Sequence, residues 1–493
     1  MDPFMGSGVT VIEALKLNRK ACGVDINPMA HFITRNTILP VSLSELADNY
    51  TLLSNYMSPV INKFYATHCH CGKTACAISY QWYNGKTTEV SYNCTCNTER
   101  RALTKGFSPT DQALLDAIER DFTELVRAYD LKLPTEELPK NRQINAPGYR
   151  VIDLFTKRNL LVLGILQKAI EEVVATSVRE IMSFIFSSGL VQGSKMIMHA
   201  KGQGPGWKVM GYWIPMDKGS QELNVWHYFS NKYKRVLRGK TETNKLITSS
   251  DYRLLQQSSS NLSEINDNSV DYIFTDPPYG ASVPYSEMSA LWAAWLGYTM
   301  NYPEEIVISK HEPYNKSLEN YRHMLLVAFS EIHKKLKTGA FMSVTFHNKD
   351  LHIWQALLYC LRESGFTLVN LVHQPQAKLS SSQGLYHKKR ITGDFILNFT
   401  KTPAKSILIN TPKLNFEETV ISITKELLTK QEKVTTDLIY RELVPLFANS
   451  GLLDEEENLQ KNLEQLLNKS FKQVKEVQTI GNNGKELEVY TWK

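Results

Sequence analysis

The chain lacks the long apolar runs, the charge bias and the scattered cysteines that mark several large protein classes. Its longest apolar stretch, residues 159–174, is interrupted by Gln167 and Lys168, and it falls short of the ~20 apolar residues of a membrane span. No stretch has the pattern of a secretory signal peptide. We therefore expect a cytoplasmic protein without a membrane segment.

The net charge of +6 is small for 493 residues, so any nucleic-acid contact must come from a local patch. Hydrophobic residues make up 42% and charged residues 22% of the chain, values typical of soluble globular proteins. This length is sufficient for about two to four domains with a substantial core. Composition thus predicts a large globular protein, and the motifs have to indicate its activity.

Five of the seven cysteines crowd between residues 69 and 96. In a chain without a secretory pattern, such crowding favours a metal site over disulfides. Two Cys-X-Cys pairs flank a hairpin signal at Asn84-Gly85, an arrangement that resembles a zinc ribbon at residues 67–98, although each pair is spaced by one residue instead of the usual two. We predict a structural Zn²⁺ held by Cys69, Cys71, Cys94 and Cys96. Cys76 or His68 could substitute, and a reduced thiol cluster is the alternative.

A strand followed by a proline-stiffened turn lies near the middle of the chain. The apolar run 270–274 predicts a buried strand, and it leads into Asp276, Pro277, Pro278 and Tyr279. The two prolines fix the backbone and remove two N–H groups. The turn therefore presents a carboxylate, rigid carbonyls and an aromatic ring at the edge of a sheet where α/β folds bind ligands. An ordinary strand-to-loop turn is the alternative.

A glycine-rich bend opens the chain. Gly6 and Gly8 precede a helical pattern, and a short strand then ends at Asp25. A glycine bend before a helix, followed by a strand ending in an acid, is typical of Rossmann-like nucleoside sites. Glycine permits close backbone approach, and Asp25 is placed to accept hydrogen bonds from ribose hydroxyls.

Together these motifs resemble the DNA methyltransferases that modify adenine N6 or cytosine N4, in particular adenine-specific DNA methylases that carry a zinc ribbon. The phrase 154–159, Leu-Phe-Thr-Lys-Arg-Asn, is similar to a segment of that subgroup. The resemblance implies an α/β Rossmann-like fold and S-adenosylmethionine as methyl donor. It implies catalytic roles for Asp276, Pro277, Pro278 and Tyr279, and cofactor contacts from Asp2, Pro3, Phe4, Gly6, Gly8, Thr10, Asp25, Ile26 and Asn27.

The resemblance also implies direct methyl transfer to a base flipped out of DNA, in restriction-modification or phage defence. Asp at the first motif position favours adenine N6, because cytosine-N4 enzymes more often carry Ser there. Three serines, Ser258, Ser259 and Ser260, stand where the family often has an acid near the cofactor adenine. Cytosine N4 remains the first alternative, and a methyltransferase-like DNA-binding subunit is the second.

The family places a strand before the glycine bend, and this sequence begins at the bend. A sheet without a middle strand leaves buried backbone groups unpaired, which is costly. Either the sequence is truncated or a second polypeptide supplies that strand, and we expect the second polypeptide, as in a split enzyme.

The motif order predicts three regions. We expect residues 1–30 and 246–401 to form the catalytic domain and residues 31–245 an insert for target recognition. We expect residues 402–493 to form a helical module, for which a winged-helix-like arrangement is one interpretation. In the insert, residues 231–245 concentrate basic side chains beside aromatics. They predict a helix that either follows DNA phosphates or has a solvated face.

Overall fold

The computed structural model describes residues 1–97, 102–139, 148–198, 206, 211–215, 219–248, 251–348, 350–374, 393–401, 416–450, 463–480 and 485–492. Within these ranges, no helix is both long and apolar enough to cross a membrane.

The described strands, in chain order, are β1 Ala21–Asp25, β2 Ala66–His68, β3 Thr74–Tyr83, β4 Lys86–Asn93, β5 Leu103–Gly106, β6 Ser220–Leu223, β7 Tyr252–Gln256, β8 Val270–Thr275, β9 Leu336–Phe346, β10 Phe366–Gln374, β11 Asp394–Lys401, β12 Val434–Thr435, β13 Gln473–Ile480 and β14 Lys485–Trp492.

The described α-helices are α1 Val9–Lys16, α2 Pro28–Ile38, α3 Leu43–Phe64, α4 Pro109–Ala128, α5 Lys157–Glu172, α6 Thr176–Gly193, α7 Val225–Leu246, α8 Tyr285–Leu296, α9 Leu318–Lys335, α10 Leu351–Glu363, α11 Phe416–Lys430, α12 Thr436–Ser450 and α13 Leu463–Ser470. Single 3₁₀ turns lie at Val151–Leu154 and Tyr302–Glu304.

Two sheets meet on either side of the first residues of the chain. One sheet is the parallel pair β1 and β7, and the other has the order β10, β11, β9, β8, with β8 and β9 parallel. Between them, the Asp2 amide donates to the Cys22 carbonyl at 2.8 Å, and the Met1 carbonyl accepts from the Phe274 amide at 3.2 Å. Met1 and Asp2 therefore occupy the central strand position, and the mixed α/β architecture agrees with the predicted fold class.

Only one face of the β8–β11 sheet is covered by described helices. Ile273 and Met342 point to a core that includes residues of α9, α10 and α12 and are fully buried. On the other face, Tyr272 of β8 is 47% and Phe341 of β9 is 48% exposed. The prediction of a buried strand at residues 270–274 was therefore wrong for this face, because the apolar run alone does not tell on how many sides a strand is covered.

The insert combines helices α3 to α7 with a sheet in which β2, β3, β4 and β5 follow one another and β6 pairs with β3. The hairpin between β3 and β4 turns at Asn84 and Gly85, with φ of 48° and 73°, as the Asn-Gly signal predicts. Helix α8, which follows the proline turn, contributes Leu291 and Trp295 to the core of the insert. That contact ties the insert to the proline turn.

The C-terminal region has the element order helix α11, strand β12, helices α12 and α13, then the hairpin β13–β14. Its strands form an antiparallel sheet with the order β12, β14, β13, so the helices are followed by a wing-like hairpin. Tyr440 of α12 packs on Trp354 and Phe395, so this region shares its core with the β8–β11 sheet.

Candidate active site

The bend at residues 2–8 leads from the central strand position into α1. Gly6 and Gly8 have φ angles of 49° and 81°, which are left-handed and favour glycine. A Cβ atom on Gly8 would lie 2.4 Å from the Thr34 side chain of α2. Glycine is thus required for this close approach, and the bend exposes backbone at the carboxyl edge of β1.

Asp25 ends β1 directly beside this bend. Its Oδ2 accepts from the Gly6 amide at 2.9 Å and its Oδ1 from the Asn27 amide at 2.8 Å. Burial raises the pKa of Asp25 to about 6; the two amide hydrogen bonds oppose this rise, while Asp2 and Glu305 add to it. Because each carboxylate oxygen has a further lone pair, Asp25 can still accept hydrogen bonds from a pair of ligand hydroxyls.

Asp2 joins the bend to β8. It is 4% exposed, and its Oδ1 accepts from the Thr275 hydroxyl at 2.9 Å and from the Phe4 amide at 3.1 Å. Burial raises the pKa of its carboxyl group. Asp2 therefore holds the two motif-bearing segments together as well as facing the space between them.

Asp276 directly follows β8 and accepts a hydrogen bond from another residue of the same proline turn. The Tyr279 hydroxyl donates to Asp276 Oδ1, and the Tyr279 ring packs edge-on against Phe346 with centroids 5.0 Å apart. The Asp276 residue is exposed. Neighbouring groups still remove part of the water around its carboxyl group, and this desolvation raises its pKa. The turn is anchored by Tyr321, whose hydroxyl donates to the Pro278 carbonyl at 2.6 Å.

A single cavity of about 370 Å³ joins the two motifs. The predicted site residues that line it are Asp2, Pro3, Phe4, Gly6, Thr10, Asp25, Ile26, Asn27, Asp276 and Pro278. Gly8, Pro277 and Tyr279 are not among its lining residues: a Cβ atom on Gly8 would meet Thr34 of α2, and the Tyr279 hydroxyl donates to Asp276. The glycine bend and the proline turn, about 270 residues apart in sequence, thus meet in one site.

The cavity also has walls that motif reasoning missed. They are Tyr285 and Ser286 at the start of α8, Glu304, Glu305 and Ile306 in the following loop, and Thr345 of β9. Glu305 is 4% exposed and accepts from the Tyr314 hydroxyl at 2.6 Å and the Ser286 amide at 3.2 Å. Only the consecutive acids 304 and 305 in a short loop give a sequence signal, and that signal is weak.

The charges that line the cavity are all negative. Asp2, Asp25, Asp276, Glu304 and Glu305 contribute carboxyl groups, and the lining residues within the described ranges include no lysine, arginine or histidine. Such a field favours a ligand with positive charge and disfavours phosphates. The raised pKa values of Asp2, Asp25 and Asp276 have burial as their main cause.

A neighbouring cavity of about 460 Å³ shares Ile26, Ser258 and Glu304 with the first. It continues along Gln257 and Asn261, beyond the carboxyl end of β7. The three serines therefore do lie beside the site, as predicted, and the nearest carboxylate at this end comes from Glu304.

The four predicted zinc ligands form one cluster at the base of the ribbon. The sulfurs of Cys69, Cys71, Cys94 and Cys96 all lie within 4.8 Å of one another, with Cys69 and Cys96 at 3.5 Å and Cys71 and Cys94 at 3.7 Å. Zn–S bonds of about 2.3 Å in a tetrahedral site place the sulfurs about 3.8 Å apart. The donor set fits zinc, and Cys76 lies outside it, bonded to Asn224.

Comparison with known families gives one match. Residues 1–35 match the family model of DNA methylases. This segment contains the glycine bend, β1 and Asp25, and it ends within α2. No curated protein matches the chain.

Several solved methyltransferases overlap with part of the chain in structural comparison. One from Thermoplasma acidophilum is 11% identical over 35% of this chain and 55% of its own length, with a TM-score of 0.19. An S-adenosylmethionine-dependent methyltransferase from Methanosarcina mazei is 9% identical over 34% of this chain and 76% of its own length, with a TM-score of 0.19. Geranyl diphosphate C-methyltransferase from Streptomyces coelicolor is 8% identical over 58% of this chain and 97% of its own length, also with a TM-score of 0.19. Overlaps of this quality do not define the architecture of the chain or its substrate.

Proposed function

We propose that the chain is an S-adenosylmethionine-dependent DNA methyltransferase that acts on adenine N6. The observation that carries this proposal is the shared cavity, in which Asp25 beside the glycine bend and Asp276 of the proline turn face one space. The match of residues 1–35 to DNA methylases supports it.

The cavity fits the methyl donor in size and charge. Its volume of about 370 Å³ lies within the range of about 300–1,000 Å³ found for small-molecule sites. S-adenosylmethionine carries a sulfonium and an ammonium against one carboxylate, so five acidic side chains favour it, whereas a dinucleotide diphosphate would be repelled. Asp25 would accept from the ribose hydroxyls.

The adenine of the donor would lie towards the second cavity, between Ile26 and Ser258. The family's usual acid is absent from the serine loop, and Glu304 borders both cavities. Glu304 is therefore the carboxylate positioned to accept a hydrogen bond from the adenine amino group.

Asp276 would bind the target amine. Bound donor supplies an electrophilic methyl group. The amine lone pair is delocalised into the base, and hydrogen bonds to Asp276 and to the Pro277 carbonyl favour a tetrahedral nitrogen whose lone pair can attack. The raised pKa of Asp276 suits a group that also takes up the proton the nitrogen releases. No cysteine nucleophile is required.

Tyr279 would stack on the flipped base, which requires its hydroxyl to leave Asp276. Flipping costs a few kcal/mol of unstacking, and stacking on an aromatic side chain contributes about 1–3 kcal/mol per base. Asp at the first motif position favours adenine over cytosine. We assign the Cys69, Cys71, Cys94 and Cys96 cluster to a structural Zn²⁺ that stiffens the ribbon.

DNA binding would involve the insert. Lys234, Arg235, Arg238 and Lys245 are exposed on α7 and are available to phosphates. Lys240 of the same helix is 2% exposed and donates to the Thr37 and Leu39 carbonyls at 3.0 and 2.6 Å. It therefore caps the end of α2, and only part of the basic stretch is available to DNA.

Transfer of tritiated methyl groups from S-adenosylmethionine to DNA, RNA and protein, followed by nucleoside analysis, tests the proposal. We expect label in DNA as N6-methyladenine. Label in N4-methylcytosine would change the target base, and label confined to RNA or protein would overturn the substrate assignment.

A further inference from the structure

Helix α8 contacts the insert and the acidic cavity at the same time. Its first residues, Tyr285 and Ser286, line the cavity, and the Ser286 amide donates at 3.2 Å to the buried Glu305, which is another lining residue. Further along the helix, Leu291 and Trp295 belong to the hydrophobic core of the insert. One short helix, 12 residues long, therefore packs in the insert with one half and forms part of the cavity wall with the other.

The insert holds the second half of α8 by hydrogen bonds as well as by apolar packing. Gln167 of α5 donates to the Trp295 carbonyl near the end of the helix. The Trp292 indole donates to the Ser187 carbonyl of α6 at 3.0 Å. Both contacts lie away from the cavity, so they do not by themselves fix the first turn of α8.

Tyr212 supplies a contact in the middle of the helix. It lies in segment 211–215 of the insert and is 4% exposed. Its hydroxyl accepts from the Leu291 amide at 3.1 Å and donates to the Glu287 carbonyl at 2.9 Å, with the Met288 carbonyl at 3.0 Å as a second acceptor. An α-helix pairs each amide with the carbonyl four residues earlier, so the hydroxyl bridges the amide and the carbonyl of one such pair.

This bridge reaches the turn that lines the cavity. The Glu287 carbonyl belongs to the same first turn of α8 as Tyr285 and Ser286. A side chain that enters the hydrogen-bond ladder of a helix changes the local direction of that helix, so the position of the hydroxyl affects the direction of the first turn. Burial raises the pKa of Tyr212, and the hydroxyl therefore keeps its proton and donates at neutral pH.

The first turn of α8 is also bonded to the segment that follows β1. Asn27, which lines the cavity, donates to the Ser289 hydroxyl at 2.8 Å, and Ser289 donates to the Tyr285 carbonyl at 2.9 Å. A change in the direction of this turn would therefore alter the cavity on two sides, at Asn27 and at Glu305.

We propose that Tyr212 is a positioning residue of the donor site, whose hydroxyl couples the packing of the insert to the cavity wall formed by Tyr285, Ser286 and Glu305. The proposal rests on the proposed function, since it takes S-adenosylmethionine as the ligand of this cavity. Tyr212 is not among the lining residues, so it acts through α8 and not by touching the donor. The insert thereby affects donor binding in addition to making the DNA contact proposed for α7.

Tyr212→Phe tests this coupling, because it removes the hydroxyl and keeps the ring. Tyr65→Phe is the matched control: Tyr65 is also buried in the core of the insert, and its hydroxyl donates to the Asn159 side chain at 2.6 Å and accepts from the Val225 amide at 3.3 Å. We expect Tyr212→Phe to weaken S-adenosylmethionine binding by about fivefold or more and to speed hydrogen exchange over residues 285–291. Tyr65→Phe should lower Tm by a comparable amount and leave both properties as in the parent.

Calorimetric titration and hydrogen-exchange mass spectrometry of the full chain measure these effects. Equal loss of donor affinity in the two variants would overturn the proposal, because it would show a general effect of destabilising the insert. Unchanged exchange over residues 285–291 in Tyr212→Phe would also overturn it, since the hydroxyl would then not fix the first turn.

The unmodified chain provides a test that needs no variant to fold. Because coupling between two sites is reciprocal, saturating S-adenosylmethionine should slow exchange of the Leu291 amide, which donates to Tyr212, more than exchange of the Val225 amide, which donates to Tyr65. Equal slowing of the two amides would overturn the coupling. If the parent binds no donor, the proposed function fails, and exchange of the two variants without ligand still tests whether the Tyr212 hydroxyl fixes the first turn.

Discussion

The hydroxyl of Tyr279 donates a hydrogen bond to Asp276, the group that we propose binds the target amine. This hydrogen bond satisfies the carboxylate within its own motif, and an incoming base must displace it to bind Asp276. Tyr279 consequently has two opposing effects: its ring favours base binding and its hydroxyl competes with the base.

Replacing Tyr279 by Phe or Ala separates these effects. Tyr279→Phe keeps the ring and frees Asp276; because a hydrogen bond to a charged group contributes about 1.5–3 kcal/mol, we expect KM for DNA to fall by roughly tenfold. Tyr279→Ala also frees Asp276 but loses stacking, so its KM should exceed that of Tyr279→Phe, by roughly tenfold for 1.4 kcal/mol. Steady-state methylation assays measure both. Equal KM values in the two variants would show that the ring does not contact the base.

Asp276→Asn and Asp276→Ala should abolish methyl transfer while leaving S-adenosylmethionine affinity near that of the parent. Asn keeps the shape but cannot take up a proton, and its amide nitrogen presents donors to the target amine. Methyl incorporation and calorimetric binding on the same preparations measure the two properties. Retained transfer in either variant would remove Asp276 from the proposed role.

The affinity for S-adenosylmethionine should depend on pH through Asp25. Its pKa is raised to about 6 by burial, and its ionised form is the better acceptor for ribose hydroxyls. Affinity should therefore rise between about pH 5 and 7 and level off above. Asp25→Asn should bind more weakly and lose this pH dependence. A parent whose affinity is flat across the same range would contradict the assignment.

The same shift has a consequence for stability. Asp25 ionises near 3.8 in an unfolded chain and near 6 in the folded protein, so ionisation at neutral pH opposes folding. Its contribution to stability becomes more favourable as pH falls through about 6. Asp25→Asn should accordingly raise Tm more at pH 7.5 than at pH 4.5, measured against the parent by calorimetry; Asp2 and Glu305 lie nearby and are left unchanged.

The cysteine cluster should carry one zinc per chain. Cys94→Ser should lose the metal and lower Tm, because the two Cys-X-Cys segments are then no longer cross-linked, whereas Cys76→Ser should keep the metal, since Cys76 bonds to Asn224 outside the cluster. Elemental analysis of the purified proteins measures the metal. Parent protein without zinc after purification free of chelator, or zinc retained in Cys94→Ser, would contradict this assignment.

The parts of the site that lie at strand ends and turns could be predicted from the sequence. Asp25 and Asp276 each follow a strand, and residues at the carboxyl ends of neighbouring strands meet at one edge. The cysteine cluster could also be predicted, because a short hairpin brings the two Cys-X-Cys pairs that flank it next to each other. Local rules fixed these positions.

The remaining features depend on packing between segments distant in sequence. Glu304 and Glu305 reach the cavity through a loop after α8, and no spacing rule indicates that loop. The exposure of Tyr272 and Phe341 is similar: both belong to apolar runs that predict burial, and only the arrangement of helices shows that one face is bare. The bond between Tyr279 and Asp276 depends on a rotamer that the motif does not specify.

The account depends most on the claim that one acidic cavity binds the methyl donor, and a calorimetric titration of the purified chain with S-adenosylmethionine tests it directly. We predict saturable binding of one molecule per chain, at least tenfold weaker in Asp25→Ala, unchanged in Asp276→Asn, and absent for NAD. A folded parent protein that shows no saturable binding, or an Asp25→Ala variant that binds as the parent does, would contradict it.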